Sequence, residues 1–283
     1  MHTSGYCRLR KHLRHVSTYS ILPLHMLIFT QCALMSKKWK VSLMAVKLLI
    51  LGLPGSGKST VARYIAKYAR DRQWSTTHIN DYAILYEMFQ KDTQGQFKPA
   101  AYGGFDVLDL AVFDTALRKL EQKAKAHIST VKQEEIVLIE FSRNDYEKAF
   151  QQFGQEFLQD AYFLYLSVDL EICKRRIRER ISQPTTVDDH FVSEYIFEAY
   201  YSEDDGQAIP QILGRNYGIN KQRVRIINNS GSQGDFYTLI NEFVQINQFV
   251  DSVIAFEAHR LPDTEPMQKI KDAEVGGDLE RNR

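Results

Sequence analysis

The 283-residue sequence has no excess of charge of either sign, since 36 lysines and arginines are balanced by 35 aspartates and glutamates. A formal net charge of +1 gives no reason to expect the extensive basic surface that binding along nucleic acid or an anionic membrane requires. Cysteine is scarce as well. Cys7, Cys32 and Cys173 are odd in number, far apart and without metal-ligand spacing, which is typical of free thiols in a reducing compartment.

The sequence also lacks a long uninterrupted apolar run. The most apolar stretch near its beginning, residues 21–34, is interrupted by a proline, a histidine and a glutamine, and it is too short to predict a membrane span. Basic residues precede it, but no A-x-A-type cleavage site follows, so it resembles a signal peptide poorly. We expect residues 1–43 to be a disordered extension, and one interpretation is a misassigned start with Met44 as the native first residue.

The last part of the chain is short of large apolar side chains. Residues 258–283 combine two prolines and two glycines with many charges, so they cannot bury enough apolar surface to offset the entropy lost on ordering. We predict a flexible tail there. Between the two ends, residues 44–257 contain no internal repeat, and we expect them to form one domain around one core.

The most informative segment is Gly52–Ser59, GLPGSGKS, which matches the pattern G-x-x-x-x-G-K-[ST] in full. Residues 46–51 before it form an aliphatic run, as in a parallel strand buried on both faces. After it, apolar residues recur at helical spacing from 58 to 71. This order of strand, loop and helix is the context that a phosphate-binding loop requires.

Each residue type in this loop suits the binding of a nucleoside triphosphate. The glycines permit positive φ angles and leave room, so that successive backbone N–H groups can converge on phosphate oxygens at the beginning of a helix. We expect Lys58 to reach the β and γ phosphates, Ser59 to bind a magnesium ion, and Thr60 to lie nearer the α phosphate. An enzyme that uses ATP and Mg²⁺ is expected in the cytoplasm. The predicted ATP-binding residues are Gly52, Leu53, Pro54, Gly55, Ser56, Gly57, Lys58, Ser59 and Thr60.

The remaining sequence alternates between strand-like and helix-like segments, which predicts an α/β fold. With the first strand, four further strand-like segments complete a five-stranded parallel sheet between two layers of helices. These segments are residues 75–79, 136–139, 162–168 and 224–227. Residues 82–131 are predicted to be mostly helical.

Two carboxylates follow predicted strands, where ligands bind in open parallel sheets. Asp81 follows the second strand and is a candidate general base for an acceptor hydroxyl. The alternative is an Asp that caps the next helix, and the two roles are compatible only if Asn80 supplies the cap. Glu140 ends the third strand and is a candidate to contact Mg²⁺ through water or to orient catalytic groups.

Arginines near the predicted site have two interpretations each. Arg143 is a candidate to hold an acceptor phosphate bidentately, and the alternative is a solvated loop charge. Arg176 and Arg180 lie four residues apart on a predicted helix over residues 169–183, so they share one face and are candidates to stabilise the transferred phosphoryl group. The alternative for this cluster is surface charge pairing. After this helix, residues 182–206 are the predicted lid.

The phosphate loop, Asp81, the RRIRER helix and the segment IINNSGS over 226–232 together resemble the P-loop kinase superfamily. The order of these parts is similar to that of adenylate and other nucleotide kinases, and to the polynucleotide kinase and zeta-toxin-like groups. The resemblance implies an ATP- and Mg²⁺-dependent phosphotransferase with strand order 2-3-1-4-5, a lid after the arginine helix, and an acceptor region over about residues 80–134. It also implies that the loop over residues 228–232, which contains the candidate ATP-binding residue Asn229, lies near the adenine.

The acceptor is not specified by the sequence. Adenylate-type kinases carry D-G-x-P-R after the third strand, whereas residues 140–143 read EFSR. The leading hypothesis is a kinase that moves the γ phosphate of ATP to a nucleotide-like small molecule. The alternatives are a polynucleotide or nucleotide-sugar kinase, and a regulatory NTPase whose output is the binding of a partner.

Overall fold

A computed structural model describes residues 45–182, 191–231 and 236–258. The predicted extension over 1–43, the predicted tail from residue 259 onward and residues 183–190 of the predicted lid lie outside the described residues. The predictions for these segments therefore stay predictions. In the part of the chain that the structure describes, no helix combines the length and apolarity needed to cross a membrane.

A five-stranded sheet forms the centre of the fold, and its described strands pair in parallel. Its strands are β1 (Ala45–Gly52), β2 (Ser75–Asn80), β5 (Glu135–Phe141), β6 (Ala161–Ser167) and β7 (Val224–Asn228). The order β2-β5-β1-β6-β7 becomes 2-3-1-4-5 when only these strands are counted, so the predicted order is confirmed. Register brings the strand ends together, since Glu140 pairs with Ile50 on one side and with Asn80 on the other.

Helices cover both faces of the sheet and produce the three layers that the sequence predicts. The longer ones are α1 (Lys58–Arg70), α2 (Asp81–Gln90), α3 (Ala111–Ile128), α6 (Leu170–Ser182), α8 (Ile209–Tyr217) and α9 (Phe236–Ala258). Shorter ones are α4 (Tyr146–Phe150), α5 (Gln155–Gln159) and α7 (Glu194–Ala199). Alternate residues of β1 enter two different cores: Leu49 and Leu51 pack with α2, α3 and α8, while Leu48 and Ile50 pack with α1 and α9. Burial on both faces explains why the strand reads as an uninterrupted apolar run.

The prediction that residues 82–131 are mostly helical holds for α2 and α3 but is wrong for the residues between them. An antiparallel hairpin, β3 (Phe97–Pro99) and β4 (Phe105–Val107), separates α2 from α3. Gly95 and Gly103 both adopt positive φ angles of 72°, which helices exclude. The ring of Phe105 then packs on Phe89 of α2 at 5.2 Å between centroids, so aromatic packing favours the hairpin over a continued helix.

Candidate functional site

The loops at the carboxyl ends of the sheet strands surround one cavity of about 570 Å³. Its walls come from the phosphate loop and α1, from the ends of β2 and β5, from α6, and from the segment after β7. The cavity therefore lies at the edge of the sheet where the sequence predicts the site, and its volume is in the range of small-molecule sites.

The phosphate loop is closed by hydrogen bonds of its own backbone. The amide of Ser56 donates to the Leu53 carbonyl at 3.1 Å, and the first bond of α1 runs from the Val61 amide to the Gly57 carbonyl at 3.0 Å. The amides of residues 58–60 precede that bond, so their own helix offers them no acceptor. In addition, the Ser56 hydroxyl is buried and has no hydrogen-bond partner among the described residues. The amides of residues 58–60 suit a phosphate group at the beginning of a helix, whereas Ser56 is not among the residues that line the cavity.

Glycine is required in the loop for conformation and for space. Gly52, Gly55 and Gly57 have φ angles of 141°, 81° and 94°. A Cβ on Gly55 would also lie 2.6 Å from the carbonyl oxygen of Cys173 on α6. A Cβ on Gly57 would lie 2.8 Å from the side-chain nitrogen of Asn229. The loop is thus held between α6 and the segment after β7 without room for side chains at these positions.

Lys58 lies inside the loop. Its Nζ donates to the carbonyl oxygens of Gly52 at 3.1 Å and Leu53 at 2.9 Å, and the residue is only 6% exposed. Burial lowers the pKa of the ammonium group, while the nearby carboxylates Glu140 and Asp81 act in the opposite direction. The position is the one expected for a lysine that contacts the terminal phosphates of a nucleotide.

Ser59, Glu140 and His78 form a chain of hydrogen bonds beside the loop. The Ser59 hydroxyl donates to Glu140 Oε1 at 2.9 Å, and His78 Nε2 lies 2.8 Å from Glu140 Oε2. Burial opposes ionisation of Glu140, but the bond from His78 and the charge of Lys58 outweigh it and lower the pKa of this carboxyl. A hydroxyl and an ionised carboxylate are hard oxygen ligands of the kind that Mg²⁺ takes together with phosphate oxygens and water.

Asp81 lines the cavity as the first residue of α2. Asn80 caps this helix, because its Oδ1 accepts from the Ala83 amide at 2.9 Å. Asp81 is therefore not needed as the cap, and the condition for its catalytic role is met. Its Oδ2 instead accepts from Arg143 Nη1 at 2.6 Å. Burial raises the pKa of the Asp81 carboxyl, while the charges of Arg143 and Lys58 act in the opposite direction.

The prediction that Arg143 holds an acceptor phosphate does not fit this geometry. The residue is 2% exposed, and its other hydrogen bonds go to the carbonyl oxygen of Phe113, at 2.8 Å, and to that of Ser142. The guanidinium also lies over the Phe113 ring, 4.9 Å from its centroid. Because both Nη atoms are engaged and the side chain does not line the cavity, Arg143 positions Asp81 rather than meeting an anion. The solvated loop charge considered as the alternative is excluded as well.

Arg176 and Arg180 both line the cavity from α6. Arg176 Nη2 donates to the carbonyl oxygens of Asn229 and Gly231 at 2.9 and 3.0 Å, so it fastens α6 to the segment after β7. Asn229 in turn donates from Nδ2 to the Ser56 carbonyl at 2.7 Å. Contact of these two arginines with a phosphoryl group, and of Asn229 with adenine, stay predictions.

The other charged residues of α6 form ion pairs near the surface, as the alternative interpretation of this cluster predicts. Lys174 lies 3.0 Å from Glu171, and Arg178 lies 2.5 Å from Glu194 of α7. Arg175 approaches Glu179 at 3.8 Å. These pairs are exposed on at least one side, so the cluster divides into surface charges and the two cavity residues named above.

The described part of the predicted lid packs onto the site. Ile196 and Phe197 of α7 share a buried cluster with Leu53 of the phosphate loop, so Leu53 anchors the loop whereas Pro54 and Thr60 line the cavity. Farther along, the Asp205 carboxylate accepts from the Tyr146 amide at 2.6 Å. The segment from α7 to Asp205 is thus joined to the body of the fold.

Two residues of the site were not singled out from the sequence. The Tyr146 hydroxyl accepts from the Gly52 amide at 2.8 Å, across 94 positions of sequence, and no local pattern indicates this contact. His78 lies two residues before Asn80 on β2, so alternation places both on one face of the strand end. A polar residue at that position is a signal that would have pointed to the site.

Fold and loop together define a phosphate-loop NTPase domain. A family model described as "AAA domain" matches residues 48–197, more than half of the chain, and the chain belongs to this family. No curated protein matches the sequence.

Several solved structures resemble the fold at low identity. A gluconokinase from Sinorhizobium meliloti 1021 is 13% identical, with a TM-score of 0.42 over 76% of this chain and 98% of its own. Chaetomium thermophilum Kti12, in complex with ADP-AlF3, is 14% identical, with a TM-score of 0.45 over 74% and 97%. Mycobacterium tuberculosis APS kinase CysC, in complex with AMPPNP and APS, is 16% identical, with a TM-score of 0.36 over 50% and 73%. At such TM-scores these likenesses do not decide what this chain binds.

Proposed function

We propose that the protein is an ATP- and Mg²⁺-dependent phosphotransferase that moves the γ phosphate of ATP to a hydroxyl of a nucleotide-like small molecule. The observation that carries the proposal is a carboxylate in the cavity of the phosphate loop. Asp81 lines this cavity, and it lies close enough to Lys58 for each charge to affect the pKa of the other group. A carboxylate that a buried ion pair holds there is suited to accept the proton of an attacking hydroxyl.

The donor would be held by the phosphate loop. Its free amides and Lys58 would bind the β and γ phosphates, and the segment at Asn229 would lie beside the base. Ser59 and Glu140 would hold Mg²⁺, which neutralises charge on the phosphates when bound. His78 orients Glu140 through its hydrogen bond, as residues behind a metal ligand commonly do.

The acceptor step needs a base near the terminal phosphate. Asp81 would accept the proton of the acceptor hydroxyl while that oxygen forms a bond to the γ phosphorus and the bond to the β–γ bridging oxygen breaks, so that ADP leaves. Arg143 keeps the Asp81 carboxylate in one orientation through the 2.6 Å bond. Burial raises the pKa of Asp81, which makes it a better proton acceptor than an exposed aspartate.

Transfer of labelled phosphate from ATP to a panel of small molecules tests the proposal. We expect Lys58→Ala to abolish ATP binding, and Asp81→Asn to keep ATP binding while reducing transfer about 100-fold or more, as for the loss of a general base. Asp71→Asn, at an exposed position after α1, is the control and should leave transfer unchanged. Unaltered transfer by Asp81→Asn would remove the base from the mechanism. ATP turnover that rises only with a protein partner would favour the regulatory NTPase instead.

A further inference from the structure

We infer that the half of the cavity opposite the phosphate loop binds an uncharged molecule with an aromatic ring, which presents its hydroxyl to Asp81. This inference rests on the phosphotransferase function proposed above and narrows its nucleotide-like acceptor to one that carries no phosphate group. We call this half the acceptor half, and define it by Asp81 and by the side chains that line the cavity from α2, β4, α3 and the segment before α7. Those side chains are Tyr82, Leu85, Phe105, Val107, Phe113 and Phe191.

Charge argues against a phosphorylated acceptor. Among the described residues, the lysines and arginines that line the cavity lie on α1 and α6, the donor side. The acceptor half instead carries the Asp81 carboxylate, with Glu140 nearby at the end of β5. Arg143, three residues after Glu140, is buried. Its guanidinium donates hydrogen bonds to Asp81 and to the carbonyl oxygens of Ser142 and Phe113. A second phosphate dianion would lose hydration here and face carboxylates, so it would be disfavoured.

The apolar wall is built from aromatic rings that neighbouring rings hold in place. Tyr82 and Phe105 stack at 5.7 Å between centroids with an interplanar angle of 11°. Phe89 supports Phe105 from behind at 5.2 Å, again nearly parallel. Tyr82 and Phe105 are only half-buried, and both line the cavity. Ring surface that is oriented and still partly open is suited to stacking or edge contact with a ring of the ligand.

Phe191 forms one side of the acceptor half. It meets the turn of the hairpin, since a Cβ on Gly104 would lie 3.2 Å from the Phe191 Cβ, and its ring lies 5.7 Å from that of Tyr102. The cavity of about 570 Å³ must hold the donor phosphates as well. A space of this size suits a small molecule, and a few polar groups against an apolar wall then orient it.

A matched pair of fluorescent probes tests the charge and the ring separately. N-phenyl-1-naphthylamine is uncharged, and 8-anilino-1-naphthalenesulfonate has the same ring skeleton with one negative charge. Both are titrated into the full chain in the presence of AMPPNP and Mg²⁺, which cover the donor half. We expect saturable binding of the neutral probe, at least 10-fold tighter than that of the sulfonate.

Substitutions locate the probe. Phe105→Ser and Phe191→Ser should each weaken binding of the neutral probe at least fivefold, and the use of two variants guards against a folding defect in one. Tyr195→Ser is the control, because Tyr195 is 60% exposed on α7 and does not line the cavity, so its effect should stay below twofold. Equal or tighter binding of the sulfonate, no saturable binding, or equal effects of the three substitutions would overturn the inference.

Failure of this inference and failure of the proposed function give different results. Transfer of label only to phosphorylated acceptors would refute the neutral acceptor and leave the phosphotransferase in place. Absence of transfer to any acceptor, with probe binding as expected, would refute the phosphotransferase and leave a binding site for a neutral aromatic molecule.

Discussion

Replacement of Arg143 by methionine tests the ion pair beneath the site. Methionine keeps much of the apolar stem but removes the charge, so the Asp81 carboxylate would remain buried without its partner. The side chains of Arg143 and Asp81 are 2% and 11% exposed, at 2.6 Å from Nη1 to Oδ2. Removal of one member of such a buried pair costs about 3–5 kcal/mol. The loss of about 4 kcal/mol corresponds to a fall in Tm of roughly 8–16 °C for a domain of this size.

The matched control is Lys91→Met. Lys91 and Glu87 form an ion pair at the same distance, 2.6 Å, but their side chains are 73% and 65% exposed. A surface pair of this kind contributes little to stability, because solvent screens both charges. Since distance is equal in the two pairs, the difference in unfolding free energy between the two variants reports burial of the pair together with the carbonyl hydrogen bonds that only Arg143 makes.

Urea denaturation followed by circular dichroism measures both variants, together with Asp81→Asn and the double variant Asp81→Asn/Arg143→Met. We expect the double variant to lose less unfolding free energy than the two single variants lose together. The difference should be about 0.5–3 kcal/mol, because the double variant no longer leaves one charge buried alone. A loss for Arg143→Met no larger than that for Lys91→Met would refute the reasoning, and would return Arg143 to the candidates for anion binding.

Three further predictions concern the loop and its neighbours. Gly55→Ala should lower the free energy of unfolding, measured by urea denaturation, by about 1–3 kcal/mol more than Gly95→Ala does. The φ angle is positive at both positions, but only the Cβ at position 55 would meet backbone, at 2.6 Å from the carbonyl oxygen of Cys173. Equal losses in the two variants would contradict this. His78→Ala should raise the Mg²⁺ concentration for half-maximal ATP binding about tenfold, since Glu140 loses the bond that orients it; an unchanged Mg²⁺ titration would argue against a metal-binding role. Burial raises the pKa of the Cys173 thiol to about 11, so the reactive thiolate is rare at pH 8. Alkylation of Cys173 by iodoacetamide, measured by peptide mass spectrometry, should therefore be about 100-fold slower in the folded chain than in urea, and its rate should rise with pH. Similar rates in the two states would show that the thiol is accessible.

The phosphate loop and the sheet were predictable because both depend on short stretches of sequence. The loop binds through the amides of consecutive residues, so a pattern of eight letters specifies it. A parallel strand buried on both faces reads as an apolar run, as in β1, β5 and β6, whereas the polar β2 segment STTHIN has a single buried residue. The hairpin between α2 and α3 was missed, because it depends on contacts of Phe105 with Phe89, 16 positions away, rather than on a local period.

The roles of the charged residues at the strand ends were decided by tertiary structure. Sequence places Arg143 three residues after Glu140, but only packing shows that its side chain turns inward to Asp81, 62 positions away. Tyr146 supports Gly52 across 94 positions in the same way. Local sequence determines where the backbone can present donors to a phosphate. The partner of a buried charge is instead decided by which distant segments the folded core brings within hydrogen-bond distance, since burial of a charge without such a partner strongly destabilises the fold.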